Sequence, residues 1–292
     1  LFPYTTLFRS FRDKLAMRVK ARAEGVLVPE FVHVLNYDEL RAWMARVPAP
    51  WVLKPRSEAS AVGIKKIHDP EELWRSLDTL GDRQSYYVLE KYVPGRVYHI
   101  DSIVWEREAL FSEVHAYASP PLDVMHRGGI FSTMTVPRGS DDERALTVLN
   151  RDLLRKLGLV HGVTHTEFIK HDETGEFYFL ETAARVGGAN IDVMVEKATG
   201  INLWREWARL EVAKLRGEAY RVPQAREDYG ATIISLARQE WPDTSAYTAH
   251  EIAYRLNKKH HAGLIMVSPS HERLSAVLEE TMSRFAHEFM TV

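Results

Sequence analysis

The stretch from Val163 to Thr182 constrains the fold more than any other. Two runs rich in β-branched and aromatic residues, Val163–Lys170 and Glu176–Thr182, flank Asp172-Glu173-Thr174-Gly175, a pattern that predicts an antiparallel hairpin. A three-residue loop, Glu173 to Gly175, with Gly175 in the left-handed region, pairs Asp172 with Glu176. In that register Lys170 faces Tyr178 and Glu167 faces Glu181. Directly opposed residues have Cβ atoms about 4.5–5.5 Å apart, and like charges placed so are destabilising. A shared proton, a bridging cation or flanking lysine and arginine must offset the repulsion. Mg²⁺ is typically held by one or two carboxylates plus substrate phosphates, which two glutamates on one sheet face suit. Arg185 lies four residues beyond Glu181, and Gly187-Gly188 behind it lets backbone amides approach an anionic substrate. The competing reading is a one-residue slip, which would send one glutamate to the other face.

Around this hairpin, helices and strands alternate without the strict period of a parallel nucleotide-binding sheet, which predicts a mixed α+β fold. Phe11 to Glu24 reads as an amphipathic helix with Phe11, Leu15, Val19 and Ala23 on one face, stopped by Gly25. Asp69, Pro70 and Glu72 open a helix that runs to Gly81, and Ser140 with Glu143 opens another through Leu157. Strands are expected at 26–34, 51–55, 86–90 and 98–105, and a helix at 201–215. Gly217 to Asp228 reads as a linker to a small α+β unit over 229–292, with strands at 231–237 and 264–267 and a closing helix from Ser270. The first ten residues, LFPYTTLFRS, resemble the translation of a sequencing adapter and are set aside from fold reasoning, so a longer natural N-terminus is expected.

Composition narrows the chemistry. The 38 Lys+Arg against 40 Asp+Glu leave a formal charge of −2, so no global field steers the chain onto nucleic acid or an anionic membrane. The absence of cysteine excludes thiolate nucleophiles and Cys-ligated zinc or iron–sulfur centres. No apolar run approaches the ~18 residues of a membrane span.

Short nucleotide and hydrolase motifs are missing. Lys54 ends a strand and precedes the small-residue run Arg56–Gly63, which can close over phosphates or be an ordinary surface loop. Glu90-Lys91-Tyr92-Val93 can offer alternating backbone groups to an adenine edge. His161/His165 and His260/His261 lack a partner set for zinc. His126-Arg127-Gly128-Gly129 can grip a carboxylate substrate or form a plain turn.

In order, Asp13-Lys14, WVLKP with Lys54, LEKYVPG at 89–95, HTEF with Glu167, LETAARVGG with Glu181 and Arg185, and TGINL at 199–203 make the chain resemble ATP-grasp enzymes over about residues 11–215. Within them it is most similar to the L-amino-acid ligase and carboxylate-amine ligase group. The resemblance implies two α+β lobes clamping ATP, 11–90 with a lid loop and 91–216 with the metal and phosphate site, followed by the 229–292 unit. It implies that a carboxylate is phosphorylated by ATP and the acyl phosphate is attacked by an amine. Lys14 and Lys54 would then contact phosphates, with Ser60 and Gly63 in the lid. Glu90, Lys91, Tyr92 and Val93 would bind adenine, and Glu167 and Glu181 would hold Mg²⁺ or Mn²⁺. Arg185 and Lys54 would be catalytic, and His126, Arg127, Gly187 and Gly188 would meet the substrate.

Ala183 stands where many relatives have asparagine, and Val97 where some have a ribose-binding acid, so those contacts must come from elsewhere. The family's N-terminal α/β domain has no counterpart in this sequence. The expected partners are small-molecule carboxylates and amines, with no nucleic acid or membrane, in a cytoplasmic homodimer. Two other functions compete: bicarbonate activation like that of biotin carboxylase, and an ATP-binding module without chemistry.

Overall fold

A computed structural model describes residues 9–58 and 62–290, and for 125–127 the backbone alone. In chain order the elements are α1 (Lys14–Ala23), β1 (Phe31–His33), α2 (Tyr37–Arg46), β2 (Trp51–Pro55), β3 (Lys65–Ile67), α3 (Pro70–Leu80) and β4 (Tyr87–Lys91). There follow β5 (Gly95–Trp105), β6 (Glu108–Tyr117), α4 (Pro121–Arg127), β7 (Phe131–Thr135), α5 (Asp141–Leu157), β8 (Gly162–His171) and β9 (Phe177–Ala183). The chain closes with α6 (Ile191–Thr199), α7 (Leu203–Arg216), β10 (Tyr229–Leu236), β11 (Ile252–Arg255), β12 (His261–Ser268) and α8 (His271–Glu288). The fold is α+β, as the sequence predicts.

Packing divides the chain into two compact units. The first holds residues up to Arg96 with Lys156–Gly158 and Glu167–Ala183; the second holds the rest. In the first unit an antiparallel sheet runs β1-β4-β2-β3, with Glu90 of β4 between Phe31 of β1 and Val52 of β2. Helix α3 starts where its cap predicts, with Asp69 Oδ1 accepting from Glu72 N at 2.7 Å, and α2 is capped by Asn36, whose Oδ1 accepts from Asp38 N at 2.9 Å. Leu40, Trp43, Leu73 and Leu77 from these helices are buried against Trp51, Leu53, Ile67 and Leu89. Gly95 allows β5 to leave this unit close beside β8, since a Cβ there would stand 1.9 Å from Lys170 O.

In the second unit the strands run β11-β12-β10-β7-β6-β5-β8. Their alternating side chains feed two cores. Ile103, Val163 and Ile265 pack with Met194 and Val195 of α6 and Leu210 of α7. Ala231, Ile233, Leu264 and Met266 pack with Leu274, Val277, Leu278 and Phe285 of α8. The 229–292 segment is therefore bound into this unit by the β7–β10 pairing, with Thr232 opposite Thr133.

Candidate active site

Helix α1 buries a different face from the one its apolar spacing predicts. Lys14, Met17, Arg18 and Ala21 are buried, while Val19 is half exposed. The reason is electrostatic. Asp13 caps the helix, accepting from Leu15 N at 3.0 Å, and is also paired with Arg56. This turns the next two basic residues inward onto carboxylates. Lys14 Nζ lies 2.9 Å from Glu181 Oε2 and 2.7 Å from Glu58 O. Arg18 is wholly buried, its Nη2 3.1 Å from Glu90 Oε2, and its guanidinium lies 5.6 Å from the Phe179 ring centroid.

Glu90 also receives Lys54, with Nζ 2.6 Å from its Oε2. Burial alone would raise the Glu90 pKa, but Arg18 and Lys54 outweigh it and hold the carboxyl below its ordinary range. Burial pushes the Lys54 ammonium down, and the pull of Glu90 offsets only part of that. Glu181 acts on Lys54 as well, so Lys14, Lys54, Glu90 and Glu181 form one electrostatic neighbourhood in the first unit. Arg18 belongs to it but carried no sequence signal beyond being a helical arginine. Among the described residues, the buried Arg18 Nη1 has no hydrogen-bond partner.

The hairpin closes one residue away from the expected register. His171 N–H donates to Glu176 O and Gly175 N–H to His171 O, both at 2.9 Å, so the connection has four residues where three were expected. The cause is the His171 ring: its Nδ1 accepts from Glu173 N at 3.1 Å and from Thr174 N at 3.4 Å, stapling the wider turn. The same offset sets Phe168 against Phe179, whose buried rings lie 5.8 Å apart. What offsets Glu181's charge is Lys14, one of the flanking cations anticipated for it.

The second unit contains a polar cluster that the sequence did not reveal. Asp101 on β5 is fully buried, its Oδ2 2.8 Å from His99 Nδ1 and its Oδ1 3.0 Å from His165 Nδ1. His99 Nε2 lies 2.8 Å from Thr133 Oγ1, whose own proton goes to Ala116 O at 3.1 Å. Both ring nitrogens of His99 therefore face an oxygen, Asp101 Oδ2 on one side and Thr133 Oγ1 on the other. His115 stacks on it at 4.6 Å, and burial, with His99 beside it, keeps its own pKa well below normal. Burial would raise Asp101, yet His165 and His99 outweigh it and keep it ionised. Across the β5–β6 pair Asp101 stands directly opposite Glu113. That like-charge opposition is relieved on one side by the histidines and on the other by Arg138 Nη2, 2.8 Å from Glu113 Oε1. Even so, burial pushes Glu113 up to about 7.

His99, Asp101 and His165 each present a ligand atom within 4.8 Å of the others, the only such trio among the described residues. Both Nδ1 protons are donated to Asp101, so a cation there would have to displace them. His165 lies 64 residues from Asp101, so no sequence spacing joins it to the His99–Asp101 pair, which is why only His165 was noticed, and without its partners.

Gly63, expected in the lid loop, has φ +72°, with its Cβ position 3.1 Å from Pro55. Ser60 lies outside the described residues. Lys91 Nζ donates to Pro48 O at 2.6 Å, and the Lys91 and Tyr92 N–H groups donate to Glu30 O and Pro50 O. Lys66 Nζ covers the Tyr92 ring at 3.7 Å, and Val93 follows in irregular backbone. His126 and Arg127 end α4, and their side chains lie outside the described set. Arg185 belongs to the second unit, its Nη1 2.8 Å from Val186 O, with buried Gly187 and exposed Gly188 beyond it.

The chain is 26% identical over 206 residues to the L-arginine-specific L-amino acid ligase of Bacillus subtilis, covering 68% of this chain and 49% of that one. The chain thus spans about half the length of that curated relative. Among solved structures, an L-amino acid ligase from Bacillus licheniformis matches with a TM-score of 0.68 at 18% identity, over 96% of this chain and 72% of that one. A carboxyaminoimidazole ribonucleotide synthase from Aspergillus clavatus, solved with ATP, matches at 0.74 with 14% identity, over 94% and 73%. At these identities the structures speak for the fold. The ATP-grasp domain model matches residues 19–189, more than half of the chain, and the chain therefore belongs to the ATP-grasp family.

Proposed function

We propose that the chain carries the nucleotide-handling part of an ATP-dependent ligase that activates a carboxylate as an acyl phosphate for attack by an amine. The observation that carries this reading is the neighbourhood of Lys14, Arg18 and Lys54 with Glu90 and Glu181, three cations against two carboxylates. Converging lysine and arginine side chains in one unit suit a polyphosphate. Phosphoryl transfer asks mainly for positioning and charge neutralisation, which lysines and arginine supply without a covalent nucleophile. In this reading Lys14 and Lys54 hold phosphates, the 90–93 segment meets adenine, Gly63 and Ser60 belong to the lid, and Arg185 steadies the transferred phosphoryl group. His126, Arg127, Gly187 and Gly188 receive the substrate.

The oxygen donors Glu167 and Glu181 fit Mg²⁺ or Mn²⁺, with Lys14 as the competitor the metal must move aside at Glu181. Bound there, the ion would neutralise phosphate charge. Small-molecule carboxylates and amines are the expected substrates, in a cytoplasmic homodimer. Among the described residues no helix is long and apolar enough to cross a membrane.

The test is ADP and phosphate release from the purified protein with Mg·ATP on a panel of amino acids and, separately, bicarbonate. Amino-acid-dependent turnover supports the ligase. Bicarbonate-dependent turnover, or nucleotide binding without turnover, would replace it with a carboxylase or a binding module.

A further inference from the structure

The segment Arg185-Val186-Gly187-Gly188 rests on the buried histidine–aspartate cluster. A Cβ at Gly187 would stand 2.8 Å from Asp101 Oδ1 and 3.0 Å from His165 Nδ1, so only a bare backbone can lie against that hydrogen bond. On one side of Gly187, Val186 is anchored in the core with Ile191, Met194 and Val195, and its carbonyl accepts from Arg185 Nη1 at 2.8 Å. On the other side Ala189 and Asn190 both adopt left-handed backbone, φ +52° and +57°, before α6 begins. A side-chain-bearing residue enters that region at a cost and stays only where its surroundings hold it there. The contacts run unbroken from Asp101 through Gly187 and the Val186 carbonyl to the Arg185 guanidinium.

We propose that Asp101 is a positioning residue: its hydrogen bond with His165 is the seat that sets the height of the 185–188 segment and so the placement of Arg185. The seat needs a carboxylate. Asp101 accepts from His99 on one oxygen and from His165 on the other, whereas an amide offers one acceptor and turns an NH₂ toward the other donor. Only the kinetic consequence rests on the ligase reading; the seat itself does not.

The experiment compares Asp101→Asn, Gly187→Ala, Arg185→Ala and the double variant Asp101→Asn/Arg185→Ala in the full chain. Amide hydrogen exchange is read first, without substrates. Peptides covering 185–190 should exchange roughly tenfold faster in Asp101→Asn and in Gly187→Ala, with the first unit unchanged. Where amino-acid-dependent ADP release is measurable, Asp101→Asn should lower kcat about 10- to 100-fold with little change in KM for ATP. The double variant should be no slower than Arg185→Ala, because both changes remove one function. Unchanged exchange over 185–190 in either single variant would overturn the seat. Effects of Asp101→Asn and Arg185→Ala that multiply would overturn the positioning role. A wild type that turns over with no amine would sink the ligase reading while the exchange data still decide the seat. Gly187→Ala tests the same contact from the opposite side, so a poorly folding Asp101→Asn leaves the question decidable.

Discussion

The two buried charge clusters solve one problem in different ways. In the first unit, Glu90 is held by Arg18 and Lys54, and Glu181 by Lys14, so the counter-charges are long lysine and arginine side chains. In the second, Asp101 is held by histidines whose charge depends on protons, and Glu113 by Arg138 against an upward push toward 7. The lesson is a division of labour. Long cationic side chains suit an anionic ligand, while a self-neutralising hydrogen-bond hub suits holding backbone in place.

The largest effect should come from breaking the first cluster. Glu90→Gln leaves Arg18 and Lys54 buried without their carboxylate, and should cost about 3–5 kcal/mol in urea unfolding. A loss under 1 kcal/mol would mean the cations find water or another partner, and the contrast between the units would fail.

Next is Glu113→Gln in the second unit. Glu113 faces Arg138, Asp101 and Glu143, and its folded pKa of about 7 lies above its unfolded value near 4.5. Its contribution is therefore present below pH 4.5 and is lost as pH rises through 7. The variant should gain on wild type by roughly 1–3 kcal/mol between pH 4.5 and 8, read from denaturant midpoints across pH. Parallel stability curves for the two proteins would show that Glu113 does not titrate in this window.

The smallest effect sharpens the comparison from the side of histidine. His171 in the first unit acts as a hydrogen-bond acceptor that staples the hairpin turn, not as part of a charge hub. His171→Ala should cost about 1 kcal/mol, like the loss of a helix cap, and should speed amide exchange at Glu173 and Thr174. Unaltered exchange there would assign the four-residue turn to the backbone alone.

Much of the scaffold was legible because local chemistry decides it. Asp69 and Ser140 cap the helices they were expected to cap, and Ser270 Oγ accepts from Arg273 N to open α8 with Leu274, Val277, Leu278 and Phe285 buried. The ordered lysines and glutamates of the first unit were also visible, as single residues in recognisable surroundings. What stayed hidden depends on distant partners. The inward face of α1 could not be read, because Lys14 and Arg18 count as surface residues until Glu181 and Glu90 are known to face them. The Asp101 cluster joins β5, β6, β7 and β8, which no spacing rule connects. The hairpin register failed on a single ring, since turn statistics take no account of a histidine that caps the loop after it.

The central claim, that the acid–lysine neighbourhood of the first unit works on Mg·ATP, is tested most directly by Glu181→Gln. The folded variant, checked by circular dichroism, should lose amino-acid-dependent ADP release by on the order of 10²–10³-fold relative to wild type. Turnover equal to wild type in the folded variant would contradict the account.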